Sequence, residues 1–164
     1  MSHVKPFIQS RHQTKAEAFM HIAEHLATLS CCKVRQHAAI IVPLDFSNIL
    51  AIGYNGPARG LPNDTCSGLD HSACDCVHAE VNSLVKLRTE QKNLVMFMTK
   101  SPCLECMKLI INSGAIRLLV HKEAWSRGAE SIDMLVRAES EIASISIEQA
   151  GESIAWLQEA IGGA

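Results

Sequence analysis

Cys76-Val77-His78-Ala79-Glu80, read together with Ser101-Pro102-Cys103-Leu104-Glu105-Cys106, is the pair of stretches around which this chain is organised. The first holds H-x-E, the second P-C-x-x-C. One imidazole and two thiolates, from His78, Cys103 and Cys106, satisfy three corners of tetrahedral Zn²⁺ and leave the fourth for water. Such a metal lowers the pKa of its water toward ~7. Glu80 lies two residues from His78, a spacing that turns it to another helix face, so it can carry protons beside the metal without ligating it. Ser101 suits a helix N-cap and Pro102 the first helical position. Cys103 and Cys106 then share one face of a first turn, where the helix dipole favours thiolate. A lone C-x-x-C also suits a redox pair or half of a structural zinc knuckle, and a closed site with a fourth protein ligand is the plainer alternative. The order H-x-E then P-C-x-x-C, with proline directly before the first cysteine, points to an open, catalytic metal.

The segments around these motifs alternate in period. Residues 1–13 read as a polar lead-in. A helix is expected from Thr14, with Glu17 at capping-box spacing and Phe19, Ile22, Ala23, Leu26 and Leu29 as its apolar stripe. His21 and His25 fall on it and are expected to face solvent or a partner. Residues 38–42 are a short apolar run and 49–54 a second, expected to pair as a hairpin across the turn at 43–48. Residues 55–64 form a long loop dense in Gly, Pro, Asn and Asp. Helices are expected over 78–90, with Val81, Leu84, Val85 and Leu87 inward, over 104–112 with Gly114 as its stop, over 131–139, and over 153–161 with Ile154, Trp156, Leu157 and Ile161 on its apolar side. Strands are expected over 94–99, 116–120 and 142–147. Strand–helix–strand alternation implies right-handed crossovers and parallel pairing. The fold class is therefore α/β: a three-layer α/β/α sandwich with a mixed five-stranded sheet, read as a single domain over 1–164 with no repeat and no linker.

With 164 residues, 48% of them hydrophobic, the chain can bury a core without staples. No run approaches the ~18 apolar residues of a membrane span, and Met1-Ser2-His3-Val4-Lys5-Pro6 lacks a signal-peptide core. Cysteine spacings of C-x-x-C and C-x-C, in an odd total of 7, read as metal ligands in a reducing compartment. That makes the cytoplasm, or a host cell's cytoplasm for a viral protein, the expected location. The net charge of −2 comes with no Lys/Arg-rich run. This argues against a polynucleotide partner and for a small substrate.

Over roughly residues 30–125 the chain resembles the deoxycytidylate deaminases of the cytidine deaminase superfamily. The resemblance is carried by Ala38-Ala39-Ile40-Ile41-Val42, Gly53-Tyr54-Asn55-Gly56-Pro57, the H-x-E and P-C-x-x-C blocks, and Ser113-Gly114-Ala115-Ile116. It implies deamination of dCMP to dUMP and ammonia, with a catalytic Zn²⁺ on His78, Cys103 and Cys106 and with Glu80 as proton carrier. It implies substrate contacts from Asn55, Ser101 and Trp125. It also implies a deoxynucleoside triphosphate effector (dCTP activating, dTTP inhibiting, with Mg²⁺) at a loop containing Asn55, Gly56 and Gly60, and a hexameric assembly. A second, structural Zn²⁺ is implied on Cys32, Cys66, His71 and Cys76, with Cys31 and Cys74 near enough to exchange; free or buried thiols are the alternative. For Asn55 a turn role, and for Trp125 packing under the last helix, are the competing readings. Candidate phosphate donors are Lys33, Arg35, Arg59, Lys100 and Lys122. His37 and Ala39 depart from the family's usual V-G-A, and the insert before His78 is short and Cys-rich. Two rivals stand: a deaminase of another base or nucleoside (cytidine, guanine or tRNA adenosine), and a non-catalytic zinc-stabilised nucleotide-binding domain.

Overall fold

The computed structural model describes residues 5–32, 35–64, 66, 75–123 and 128–162. An inner strand of its sheet is β1 (Ala38–Val42), whose five residues are all buried. β2 (Ala51–Tyr54) runs antiparallel to it, with Ile40 opposite Ile52. β3 (Leu94–Lys100) is antiparallel on the other side, with Ile40 opposite Phe97. β4 (Ile116–Glu123) runs parallel to β3, and β5 (Ala143–Ser146) parallel to β4. The order is β2-β1-β3-β4-β5, a mixed five-stranded sheet as expected. Strands covered on both faces need no polar side, which is why β1 and β3 read as continuous apolar runs.

Helices cover both faces. α1 (Lys5–Ala27) and α5 (Ala150–Gly162), the latter entered through a 3₁₀ turn at Ile147–Gln149, pack over Ile40, Val95, Phe97, Leu118 and Val120. Phe19, Phe46 and Phe97 meet there with ring centroids 5.3 to 5.8 Å apart. α2 (Ala79–Lys86), α3 (Leu104–Ser113) and α4 (Gly128–Arg137) lie on the other face, over Ala39, Ile41, Met96, Met98 and Leu119. Among the described residues no helix is long and apolar enough to cross a membrane.

Several boundaries differ from the pattern reading. α1 starts at Lys5, not Thr14. Pro6 sits in its first turn, where no amide hydrogen is required. Gln13 is a helix-interior residue that bonds α5's approach: its Nε2 donates to the Ile147 carbonyl (2.9 Å) and its Oε1 accepts from the Gly151 amide (2.8 Å). The buried face of α1 is Ala16, Met20, Ala23 and Ala27, whereas Ile22 and Leu29 are 40% and 59% exposed. Ala16, Ala23 and Ala27 let the helix lie close to the sheet, Met20 and Phe19 fill the space beside them, and Ile22 and Leu29 fall to the rim. His21 and His25 are exposed, as expected. α2 ends at Lys86 rather than near 90, because Arg88 Nη1 bonds the Val85 and Leu87 carbonyls at 2.7 and 3.0 Å and the chain turns extended at Leu87. Ala79 and Ser83 are the fully buried residues of α2, and Leu84 and Leu87 pack against the core as expected, whereas Val85 is 58% exposed. In α5, Ile154 and Leu157 are buried while Trp156 is 63% exposed. Gly114 ends α3 in the left-handed conformation expected of it (φ 59°).

Gly53 shows how tightly α2 is seated. A Cβ there would lie 2.2 Å from the Ala79 carbonyl oxygen and 2.5 Å from the Ser83 amide, both backbone atoms. Gly53→Ala is expected to destabilise the fold by about 1–3 kcal/mol, the usual cost of overpacking. That is a fall of roughly 2–10 °C in Tm for a chain of this size. A melting curve unchanged from wild type would contradict the close seating.

Candidate active site

Two helix N-termini build the site. His78 is the residue from which α2 starts, in extended backbone (φ −67°, ψ 154°). The chain just before it is held by a bridge between Gly56 and Val77, with Val77 N donating to Gly56 O at 2.7 Å. Asn82 Nδ2 donates to the Tyr54 carbonyl (2.9 Å), pinning α2 to β2. β3 delivers the other half: the Ser101 amide donates to the Glu123 carbonyl at 2.9 Å, and the Ser131 hydroxyl to the Pro102 carbonyl at 2.8 Å. The helix that follows is capped by Cys103 rather than Ser101. Cys103 takes extended backbone (φ −75°, ψ 169°), and its sulfur accepts from the Cys106 amide at 3.5 Å. The sulfur thus occupies the capping position expected of a serine hydroxyl.

The three expected metal ligands converge. His78 Nδ1 is 3.3 Å from Cys106 Sγ and 3.5 Å from Cys103 Sγ, and the three donor atoms all lie within 4.8 Å of one another. Cys106 is buried, Cys103 half-buried and His78 exposed, so the cluster has one side toward solvent. One imidazole and two thiols at this spacing fit a tetrahedral zinc with three protein ligands. The cysteines behave as a pair sharing a proton. Cys106's hydrogen bond holds the Cys103 thiol down to about 4, while the reciprocal bond and burial push Cys106 up. The hydrogen bond to Cys103 raises His78. Glu80 is half-buried in the first turn of α2, within hydrogen-bonding reach of the Cys106 sulfur. Burial raises its carboxyl above the usual range.

A second cluster joins Cys32, Cys66 and Cys76, whose sulfurs lie within 4.8 Å of one another, Cys32 and Cys66 at 3.4 Å. Cys32 and Cys66 are buried and Cys76 half-buried. His71 and Cys74 lie outside the described residues, as do Lys33 and Trp125. Cys31 is half-buried, with its sulfur 3.9 Å from where a Cβ on Gly56 would stand.

Asn55 is buried, and its amide holds the start of β1. Its Oδ1 accepts from the His37 amide (2.8 Å) and its Nδ2 donates to the Arg35 carbonyl (2.7 Å). The Ser30 hydroxyl donates to its own carbonyl (2.7 Å). Gly60 adopts φ +96°, with open space where a Cβ would stand; the backbone conformation, not crowding, favours glycine there. Of the candidate phosphate donors, Arg59 is exposed, Lys100 lies 3.7 Å from Glu123, and Lys122 pairs with Glu24.

Sequence reasoning missed a cleft of ≈ 280 Å³ lined by Glu24, Ala27, Thr28, Gln36, His37, Thr99, Lys122 and Glu123. These residues come from α1, the segment before β1, and the ends of β3 and β4; no spacing along the chain links them. The signals were two and unconnected: His37, noted as a departure from a family pattern, and Lys122, one of five candidate phosphate donors. Burial, then the charges of Lys100, Arg35 and His78, depress the His37 imidazole.

A family model, the cytidine and deoxycytidylate deaminase zinc-binding region, matches residues 13–122. The chain is similar to a deoxycytidylate deaminase of Mycobacterium phage D29, 33% identical over 66% of this chain and 94% of the relative. It is also similar to that of Schizosaccharomyces pombe, 28% identical over 73% of this chain but only 40% of the longer yeast protein. Among solved structures it is similar to the dCMP deaminase of cyanophage S-TIM5 in complex with dCMP and dUMP, with a TM-score of 0.66 and 31% identity over 79% of this chain and 95% of that one.

Proposed function

The chain belongs to the cytidine and deoxycytidylate deaminase family, and from that membership we propose that it hydrolyses dCMP to dUMP and ammonia. The observation that carries this reading is the meeting of His78 Nδ1, Cys103 Sγ and Cys106 Sγ at two helix starts, with Glu80 beside them. These three residues would hold zinc, which when bound supplies a Lewis acid able to make hydroxide available near neutral pH. Glu80 moves the protons. Its carboxylate accepts one from the attacking water and delivers it to N3 of the cytosine so that C4 becomes electrophilic; it then takes the second from the new C4 hydroxyl and hands it to the amine, so that the C4–N bond breaks, ammonia leaves and a C4 carbonyl remains. A carboxyl whose affinity for protons is raised by burial is suited to both taking and returning them. Asn55, by fixing the backbone of residues 35–37, shapes the wall beside the base; Ser101 and Trp125, which follow β3 and β4 along the chain, complete the substrate contacts.

The reading extends to regulation. The loop with Asn55, Gly56 and Gly60 would take dCTP or dTTP with Mg²⁺ in a hexamer. The Gly56–Val77 bridge supports this, because Val77 immediately precedes the metal ligand His78 and a change in the loop reaches the site through one peptide. A second, structural Zn²⁺ on Cys32, Cys66, Cys76 and His71 would brace the same loop, and the gathering of three thiols supports it.

The test is ammonia release from a panel of dCMP, deoxycytidine, cytidine, guanine and adenosine substrates, with and without dCTP and dTTP. We expect dCMP to be turned over well ahead of the rest, with sigmoidal kinetics that dCTP makes hyperbolic and dTTP weakens. Equal rates on deoxycytidine would overturn the nucleotide assignment, and no ammonia from any substrate would favour a binding domain. Hyperbolic kinetics indifferent to both triphosphates would remove the regulatory part.

A further inference from the structure

The cleft between α1 and the strand ends lies where open α/β sheets hold ligands. β3 and β4 are parallel, and the carboxyl ends of both reach it. Thr99 on its wall is separated from Cys103 by Lys100, Ser101 and Pro102 alone. His37, also on the wall, feels the charges of both Lys100 and His78. The cleft therefore adjoins the segment that leads from β3 into the Cys103 turn, and one of its wall residues lies within electrostatic range of His78.

Its charge pattern is specific. Among the candidate phosphate donors described, Lys122 is the one on the cleft wall. Its ammonium pairs with the Glu24 carboxylate, a contact across the last turns of α1 and β4. The second carboxylate of the cleft, Glu123, faces Lys100 at 3.7 Å. Lysine carries its charge on a flexible stem, and an unpaired ammonium would spend its time in water; Glu24 keeps this one at the cleft.

Building on the deaminase reading above, we propose that Lys122 contacts the 5′-phosphate and makes the site prefer a nucleoside monophosphate to a nucleoside, with Glu24 as its positioning residue. Glu24 and Glu123 both act on the ammonium; Lys100 partners Glu123, and a phosphate monoester, with close to two negative charges and three strong acceptor oxygens, competes with Glu24 for Lys122. Thr28, Thr99 and Gln36 line the same cleft with polar groups.

Kinetics of wild type, Lys122→Met and Lys122→Arg on dCMP and deoxycytidine test this. Lys122→Met is expected to raise KM for dCMP roughly 10- to 100-fold, the range of one charge-assisted hydrogen bond, with little change in kcat. Deoxycytidine kinetics should not move, and Lys122→Arg should stay near wild type on dCMP. Raising salt should increase the wild-type KM for dCMP and affect the methionine variant much less. A merely structural role would instead lower kcat on both substrates alike. That result, or an unchanged dCMP KM in Lys122→Met, overturns the assignment. Should Lys122→Met fail to fold, Lys122→Gln carries the same test. If wild type releases no ammonia from dCMP, the deaminase reading itself falls; if wild type prefers dCMP and Lys122→Met keeps that preference, only the role of Lys122 falls.

Discussion

Glu80→Gln is expected to keep zinc yet lose at least ~10²-fold in kcat on dCMP, the lower end of what a positioned general acid–base contributes. The amide preserves the shape of the side chain and removes its ability to take a proton from water and return it to the pyrimidine. The backbone places the donor residues: His78 is held by the start of α2 and by the Gly56–Val77 bridge, and the cysteines by the first turn of α3, while the amide of the variant can still hydrogen-bond the Cys106 sulfur that Glu80 reaches. Zinc content by elemental analysis and ammonia release on the same preparation check the two halves together. A variant with wild-type kcat would remove Glu80 from the chemistry. A variant that lost zinc as well would make it a structural residue.

Cys106→Ser is expected to have the opposite signature, with about one zinc per chain lost and turnover abolished with it. Cys106 is the buried member of the cluster, touching both His78 and the Cys103 turn. A serine hydroxyl is a far poorer zinc ligand than a thiolate. The protonation of the pair adds a second readout. With Cys103 ionised down to about 4 and Cys106 holding its proton, zinc uptake near neutral pH must expel the Cys106 proton. Metal binding then releases acid, and affinity falls as pH falls. Zinc titration of metal-depleted protein in weak buffer should show that release in wild type, and less of it in Cys106→Ser. Full zinc content and activity in the variant would contradict the ligand assignment.

The His78–Cys103–Cys106 cluster was legible because its information is local. H-x-E and P-C-x-x-C each put their functional atoms on one helix start, and helix geometry does the rest. What the motifs concealed was the capping detail. Ser101 has the better side chain for an N-cap, but β3 runs on to Lys100 and the Ser101 amide is taken by Glu123, so the helix starts later and the cap falls to Cys103. Apolar period located every strand and every helix. It misjudged faces at Ile22, Leu29, Val85 and Trp156, since a helix that packs through alanines, or rides on Gly53, turns its bulkier residues outward. The start of α1 was missed because an interior Gln13 owes its place to α5, far along the chain.

By itself the sequence determined the gathering of His78, Cys103 and Cys106 at two helix starts, the place of Glu80 beside them and the mixed sheet, because each depends on residues within a few positions of one another or on a period that burial on both faces imposes. Tertiary structure alone decided which cation meets the cleft. Lys122 and Glu24 stand 98 residues apart, and only the packing of α1 across the parallel strands brings an ammonium, a carboxylate and the imidazole of His37 to a single wall.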